Sequence, residues 1–210
     1  MSTGTTDPTS SPERRPPAPP RLELLRRFVN TRNVEEATDR LDDVPGLIAW
    51  LGEEGFPRSD HLSRADLNRV RAVREALRAV ALANNEGGRD PEAEATMDEA
   101  AHRAGLTIRF RDGGSVVEPE RAGVDAAIGS LLAIVHDAMR DGTWSRFKAC
   151  RSDECQWAFY DSSRNRGGHW CTMAVCGSRM KARAYRDRNA KSRPQRTGSS
   201  GRERGAAQRS

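Results

Sequence analysis

The stretch FKACRSDECQWAFYDSSRNRGGHWCTMAVCGSRMKARAYRDR, residues 147–188, carries all four cysteines of the 210-residue chain. They fall as Cys150-x4-Cys155 and Cys171-x4-Cys176, two pairs of equal spacing joined by a short insert. Four thiolates gathered from two close pairs are what a tetrahedral zinc site requires, and a module too poor in apolar side chains to build a core folds around such a metal. Disulfides would need an oxidising compartment, whereas the N-terminal MSTGTTDPTSSPERRPPAPP has no apolar run that would export the chain. Thioredoxin-like chemistry uses a two-residue spacer, and both pairs here have four. Zinc is favoured over these readings and over four unrelated thiols, with Cys150, Cys155, Cys171 and Cys176 as ligands. Four protein thiolates leave no open position for water, so the single zinc is expected to be structural. His169, two residues before Cys171, would be strained as a ligand beside it and reads as a loop histidine.

Around the cysteines the chain reads Cys-x4-Cys-x-Trp-x-Phe-x-Asp-x-Ser-Arg-Asn, then Trp-Cys-x-Met-x-x-Cys-Gly-x-Arg-x-Lys. These positions are Cys150, Cys155, Trp157, Phe159, Asp161, Ser163, Arg164 and Asn165, then Trp170, Cys171, Met173, Cys176, Gly177, Arg179 and Lys181. The pattern resembles the CGNR zinc finger of bacterial regulators. Two positions depart from it: the motif's Asn is Ser178, and the basic pair before Trp-Cys is Gly168-His169. Neither touches a ligand; both fall in the basic, polar part that bears on the binding target. Further upstream, Phe28-Val29-Asn30-Thr31 followed by Trp50-Leu51 resembles the start of the ABATE domain, which commonly precedes this finger. The pairing implies a transcription regulator in which an N-terminal sensing or interacting domain controls a DNA-binding finger.

Charge supports that expectation independently. Residues 145–210 hold sixteen Lys/Arg against five Asp/Glu, net +11, and residues 1–144 hold nineteen against twenty-five, net −6. A basic end on an acidic body points to a polyanionic partner, most simply nucleic acid. Apolar residues make up 36%, or about 45% with the 18 glycines counted, the low end for a globular chain. One sizeable core and disordered ends are therefore expected. No apolar run approaches the roughly 18 residues that span a bilayer, so no membrane partner and a cytoplasmic location are expected. Nothing in the sequence sets an oligomeric state.

The expected organisation is a disordered leader (1–20), an ABATE-like helical domain (21–144), a CGNR-type finger (145–191) and a disordered basic tail (192–210). The fold class is mainly α with a small β-hairpin, an α+β N-terminal domain followed by a ββα-like zinc-bound finger. A short helix is expected around Leu22, Leu24, Leu25, Phe28 and Val29, and a second from Pro45 through Leu51. The clearest helix starts at a Ser63/Asp66 capping box and carries Leu67, Val70, Val73, Leu77, Val80 and Ala81 on one face. Its Arg69, Arg71, Arg74 and Arg78 read as the solvated face. Asp90-Pro91 opens another helix that Gly105 closes, and Asp112-Gly113-Gly114 joins the only expected β structure before the finger, near 106–118. A helix over 122–141 presents Ile128, Leu131, Leu132, Val135 and Met139 to the core.

Within the finger, Trp157 to Tyr160 reads as a strand whose aromatics cover the metal, and Thr172 caps a helix with Met173, Cys176, Met180 and Ala184 on its inner face. The candidate nucleic-acid contacts are Arg164 and Arg166 in the connection, Arg179, Arg183 and Arg186 on one helix flank, and Lys181 and Arg188, with Tyr185, on the other. The alternative is an RNA-binding or protein-interaction module, with bases stacking on Trp157, Tyr160 or Trp170. No phosphate loop, triad-like nucleophile or distinctive carboxylate pair is present, so an enzyme is not expected.

Overall fold

The computed structural model describes residues 17–57 and 61–191; most of the expected leader and all of the expected tail lie outside them. Helix α1 (Pro20–Val29) starts on a proline, whose missing N–H has no helical partner to lose, and buries Leu22, Leu25, Phe28 and Val29. Strands β1 (Arg32–Asn33) and β2 (Thr38–Asp39) form a two-residue antiparallel ladder that no local pattern announced. Asp43 caps α2 (Val44–Glu53), accepting from the Gly46 N–H. The Ser63/Asp66 box opens α3 (Arg64–Glu86) in both directions, and Gly87 closes it in the left-handed conformation. Helix α4 (Pro91–Ala104) has the same logic, with Asp90 as its cap and Gly105 at its end.

Strands β3 (Leu106–Arg111) and β4 (Gly114–Pro119) pair in register about Asp112-Gly113, whose φ values of 51° and 75° give the turn that suits a right-twisted hairpin. The hairpin's base seats on α5 (Gly123–Arg140) at Gly129. A Cβ there would come within 2.7 Å of Pro119 Cβ and 2.9 Å of Ala104 Cβ, so only glycine permits the approach. The finger follows as β5 (Phe147–Ala149), antiparallel to β6 (Ala158–Tyr160), then α6 (Ser178–Lys191), matching the expected ββα order.

One buried apolar cluster joins α1, α2, α3 and α5, with the Phe28 and Trp50 ring centroids 5.1 Å apart and the rings tilted by 42°. Phe147, Ala149 and Ala158 of the finger belong to it as well. The cysteines form a second cluster with Trp157 and Phe159.

Several expectations change. Arg74 and Arg78, read as solvated, are 2% and 4% exposed. Arg74 grips Asp39 with two bonds of 2.6 and 2.8 Å, while Glu75 lies between the two guanidiniums. Apart from Glu75, their partners lie far along the chain, so helical periodicity could not reveal the burial. Met139, expected in the core, is 52% exposed. Among the described residues no helix is long and apolar enough to cross a membrane.

Candidate metal centre

The four cysteine sulfurs all lie within 4.8 Å of one another, and all four residues are buried. Cys171 Sγ lies 3.6 Å from both Cys155 Sγ and Cys176 Sγ. A tetrahedral zinc with bonds of about 2.3 Å has sulfur–sulfur edges of about 3.8 Å, so the cluster fits one ion. No sulfur pair is bonded as a disulfide.

Local chemistry shapes each half. After Cys150 the chain turns so that the N–H groups of Cys155 and Gln156 both reach Ser152 O at 2.9 Å, with Gln156 at φ 49°. Backbone N–H groups of Ser152 and Cys171 point at Cys150 sulfur, and that of Trp157 at Cys155. Thr172 accepts the Val175 N–H at 3.0 Å and starts a wide π turn, Met173–Gly177, which places Cys176 inward. At Gly177 a Cβ would meet Met173 Sδ at 2.8 Å, so a side chain there would have to displace the flexible Met173.

Hydrogen bonds from Cys155 and Cys171 pull the Cys150 thiol down to about 2. Bonding to that thiolate pushes Cys155 up to about 12 and raises Cys171 as well; burial raises Cys176. Burial and mutual contact work against ionising the thiols together, and a bound dication is what would let all four do so. The residues fit a structural zinc, which supplies folding energy here and no open site for chemistry.

Asp161, in the segment between the two cysteine pairs, forms a buried ion pair with Lys148 at 2.9 Å, with side chains 0% and 5% exposed. Asp161 also accepts from Ser163 N at 3.1 Å and Gly168 N at 2.8 Å, while Lys148 Nζ donates to the carbonyls of Arg166 at 2.5 Å and Gly168 at 3.3 Å. Burial pushes the Asp161 carboxyl up, but these donors hold it below the usual carboxylate range. The motif's aspartate thus fastens the returning connection. His169 is not among the clustered ligands, and its Nδ1 lies 2.9 Å from Asn85 Oδ1.

The finger is fastened to the helices by polar side chains that sequence reasoning missed. Asn30 brackets Ala158, accepting its N–H at 2.8 Å and donating to its carbonyl at 2.9 Å. Arg78 donates to Gln156 O at 2.8 Å, and Asn85 to Ala149 O at 2.6 Å and His169 O at 2.9 Å. Asn30 stands in the Phe28–Thr31 run, but nothing local to it, to Arg78 or to Asn85 reveals a partner in the finger.

The candidate nucleic-acid residues are gathered less tightly. Arg164 and Arg166 are exposed, Arg166 reaching Ser145 Oγ at 3.4 Å. Arg179 pairs with Glu35 at 2.7 Å. Lys181, Arg183, Arg186 and Arg188 are exposed along α6, but the expected inner face ends at Cys176: Met173 is 50% exposed and Ala184 is fully on the surface. Every residue of α6 from Lys181 to Asn189 is exposed.

A helical domain closed by a small tetracysteine finger is the architecture of a zinc-binding regulatory protein. The chain belongs to the ABATE family, described as "Putative stress-induced transcription regulator", whose model matches residues 13–141. The CGNR zinc finger model follows it over residues 146–189, in the order expected from the residues. No curated protein matches the chain.

Proposed function

We propose that this protein is a cytoplasmic transcription regulator that binds duplex DNA through α6, with the N-terminal helices in a sensing or interacting role and no enzymatic chemistry. The observation that carries this reading is the exposed basic helix rooted on the metal. Ser178–Lys191 contains six Lys/Arg and one Asp, and every residue from Lys181 to Asn189 is exposed. A helix fixed at one end by zinc presents its charges without the ordering cost of a free tail. The single-strand alternative draws less support, because Trp157 is 4% exposed and Phe159 3%, both packed on the sulfurs, and Tyr160 packs on the main core.

The test is selection of bound fragments from random duplex DNA by the zinc-loaded chain, followed by titration across salt concentrations. Enrichment of a duplex motif, a steep salt slope and loss of binding on zinc chelation are expected. Preference for single-stranded RNA over every duplex would overturn the reading.

A further inference from the structure

Resting on the DNA reading above, we propose that duplex phosphates dock on only one flank of α6, the one bearing Lys181, Tyr185 and Arg188. The opposite flank, with Arg179, Arg183 and Arg186, is turned toward the protein's own carboxylates. Successive helical residues are about 100° apart, so Arg179 and Lys181 are about 200° apart and the two rows lie on opposite sides.

The inner row lines a groove with Asp153 and Glu154 from the turn between the first two cysteines. Arg179 closes an ion pair with Glu35 at 2.7 Å, reaching across to the segment between β1 and β2. Glu154 adds to the field that holds Arg179 charged. Three arginines here stand beside three carboxylates, Glu35, Asp153 and Glu154, so the inner flank has little net attraction for phosphate and would place a duplex against like charge.

The outer flank differs in each respect. Lys181 and Arg188 are exposed and have no ion pair among the described residues. Tyr185, between them on the same side, is 61% exposed and offers a hydroxyl to a phosphate oxygen. The helix's one acid, Asp187, follows Arg183 by one turn and so falls toward the inner side. A phosphate run along the outer flank therefore meets two cations and a donor with no competing carboxylate. By sequence alone the two rows carry equal weight; the fold distinguishes them by what stands opposite.

The experiment compares zinc-loaded full-length variants by fluorescence anisotropy against one labelled 20-base-pair duplex over a salt series. Lys181→Gln with Arg188→Gln removes two phosphate contacts, so the slope of log K against log salt should become shallower by about 1.8. Arg179→Gln should leave the slope as it is in the unaltered chain, and Arg183→Gln with Arg186→Gln should change it by less than half as much as the outer pair. Zinc content of one per chain in every variant shows that the finger is intact. An inner-row variant that flattens the slope as much as the outer pair, or an outer pair that leaves it unchanged, overturns the assignment of the flank while duplex binding stands. Failure of the unaltered chain to bind any duplex is a separate result and overturns the DNA reading together with this face.

Discussion

Replacing Lys148 by Met tests the ion pair that organises the finger. The two side chains have similar length and volume, and Lys148 is only 4% exposed, so packing is largely kept while three donated hydrogen bonds are lost. Asp161 remains fully buried, keeping the backbone donors of Ser163 and Gly168 but losing the Lys148 cation. Removing one partner of a buried pair costs about 3–5 kcal/mol. That cost falls on the connection that carries Cys171 and Cys176 back to Cys150 and Cys155, and folding of such a module is coupled to its metal. It should therefore be read as weaker zinc binding, by about 100- to 1,000-fold or more at about 1.4 kcal/mol per factor of ten. Competition with a chromogenic zinc chelator at pH 7.5 measures it, with elemental analysis fixing the stoichiometry of the unaltered chain. Zinc affinity within threefold of the unaltered chain would refute the claim that this pair supports the metal-bound fold.

Asn30→Ala leaves the buried N–H and carbonyl of Ala158 without their side-chain partner and should destabilise the chain by about 2–4 kcal/mol in urea denaturation. Gly129→Ala forces a methyl against Pro119 and Ala104 and should cost about 1–3 kcal/mol by overpacking, seen as a lowered melting temperature. Burial raises the Asp39 carboxyl, but the paired Arg74 guanidinium holds it below its ordinary value, and Glu75 is lowered likewise between Arg78 and Arg74. Groups depressed in the folded state add stability above their unfolded pKa of about 4 and lose it as pH falls through the folded value. Circular dichroism should therefore show the helices unfolding in acid below about pH 4, and Asp39→Asn should be less stable at pH 7 with a shallower loss over that acid range.

Much of this fold is legible in short-range chemistry. The box at Ser63 and Asp66, the cap at Asp90, the left-handed Gly105 and the Asp112-Gly113 turn each act within a few residues, so spacing alone places them. The metal cluster is legible for the same reason, since each half is a local pair. What failed to show was long-range. Arg74 and Arg78 lie on a row that in most amphipathic helices is wet; they are dry because Asp39 and the carbonyls of Val29 and Gln156 arrive from distant segments. Met139 and Met173 fit an apolar stripe by period, yet a stripe says nothing of where the neighbouring element stops.

The two family models abut between residues 141 and 146, but the packing does not break there. Phe147 and Ala149 are fully buried against the same core as Leu25 and Leu77, and Asn84 donates to the carbonyls of Trp144 and Phe147 across the junction. The carbonyls of Gln156, Ala149 and His169, beside three of the four cysteines, find their donors on α3 rather than within the finger. A finger cut away at residue 145 would expose those apolar side chains and strand those carbonyls, so the free energy of the metal site is partly vested in the helices. Any shift of α3 against α1 must then move the backbone that carries the ligands, and with it the base of α6. In the regulator proposed above, that shared backbone would give a signal received by the N-terminal helices a mechanical route to the basic helix.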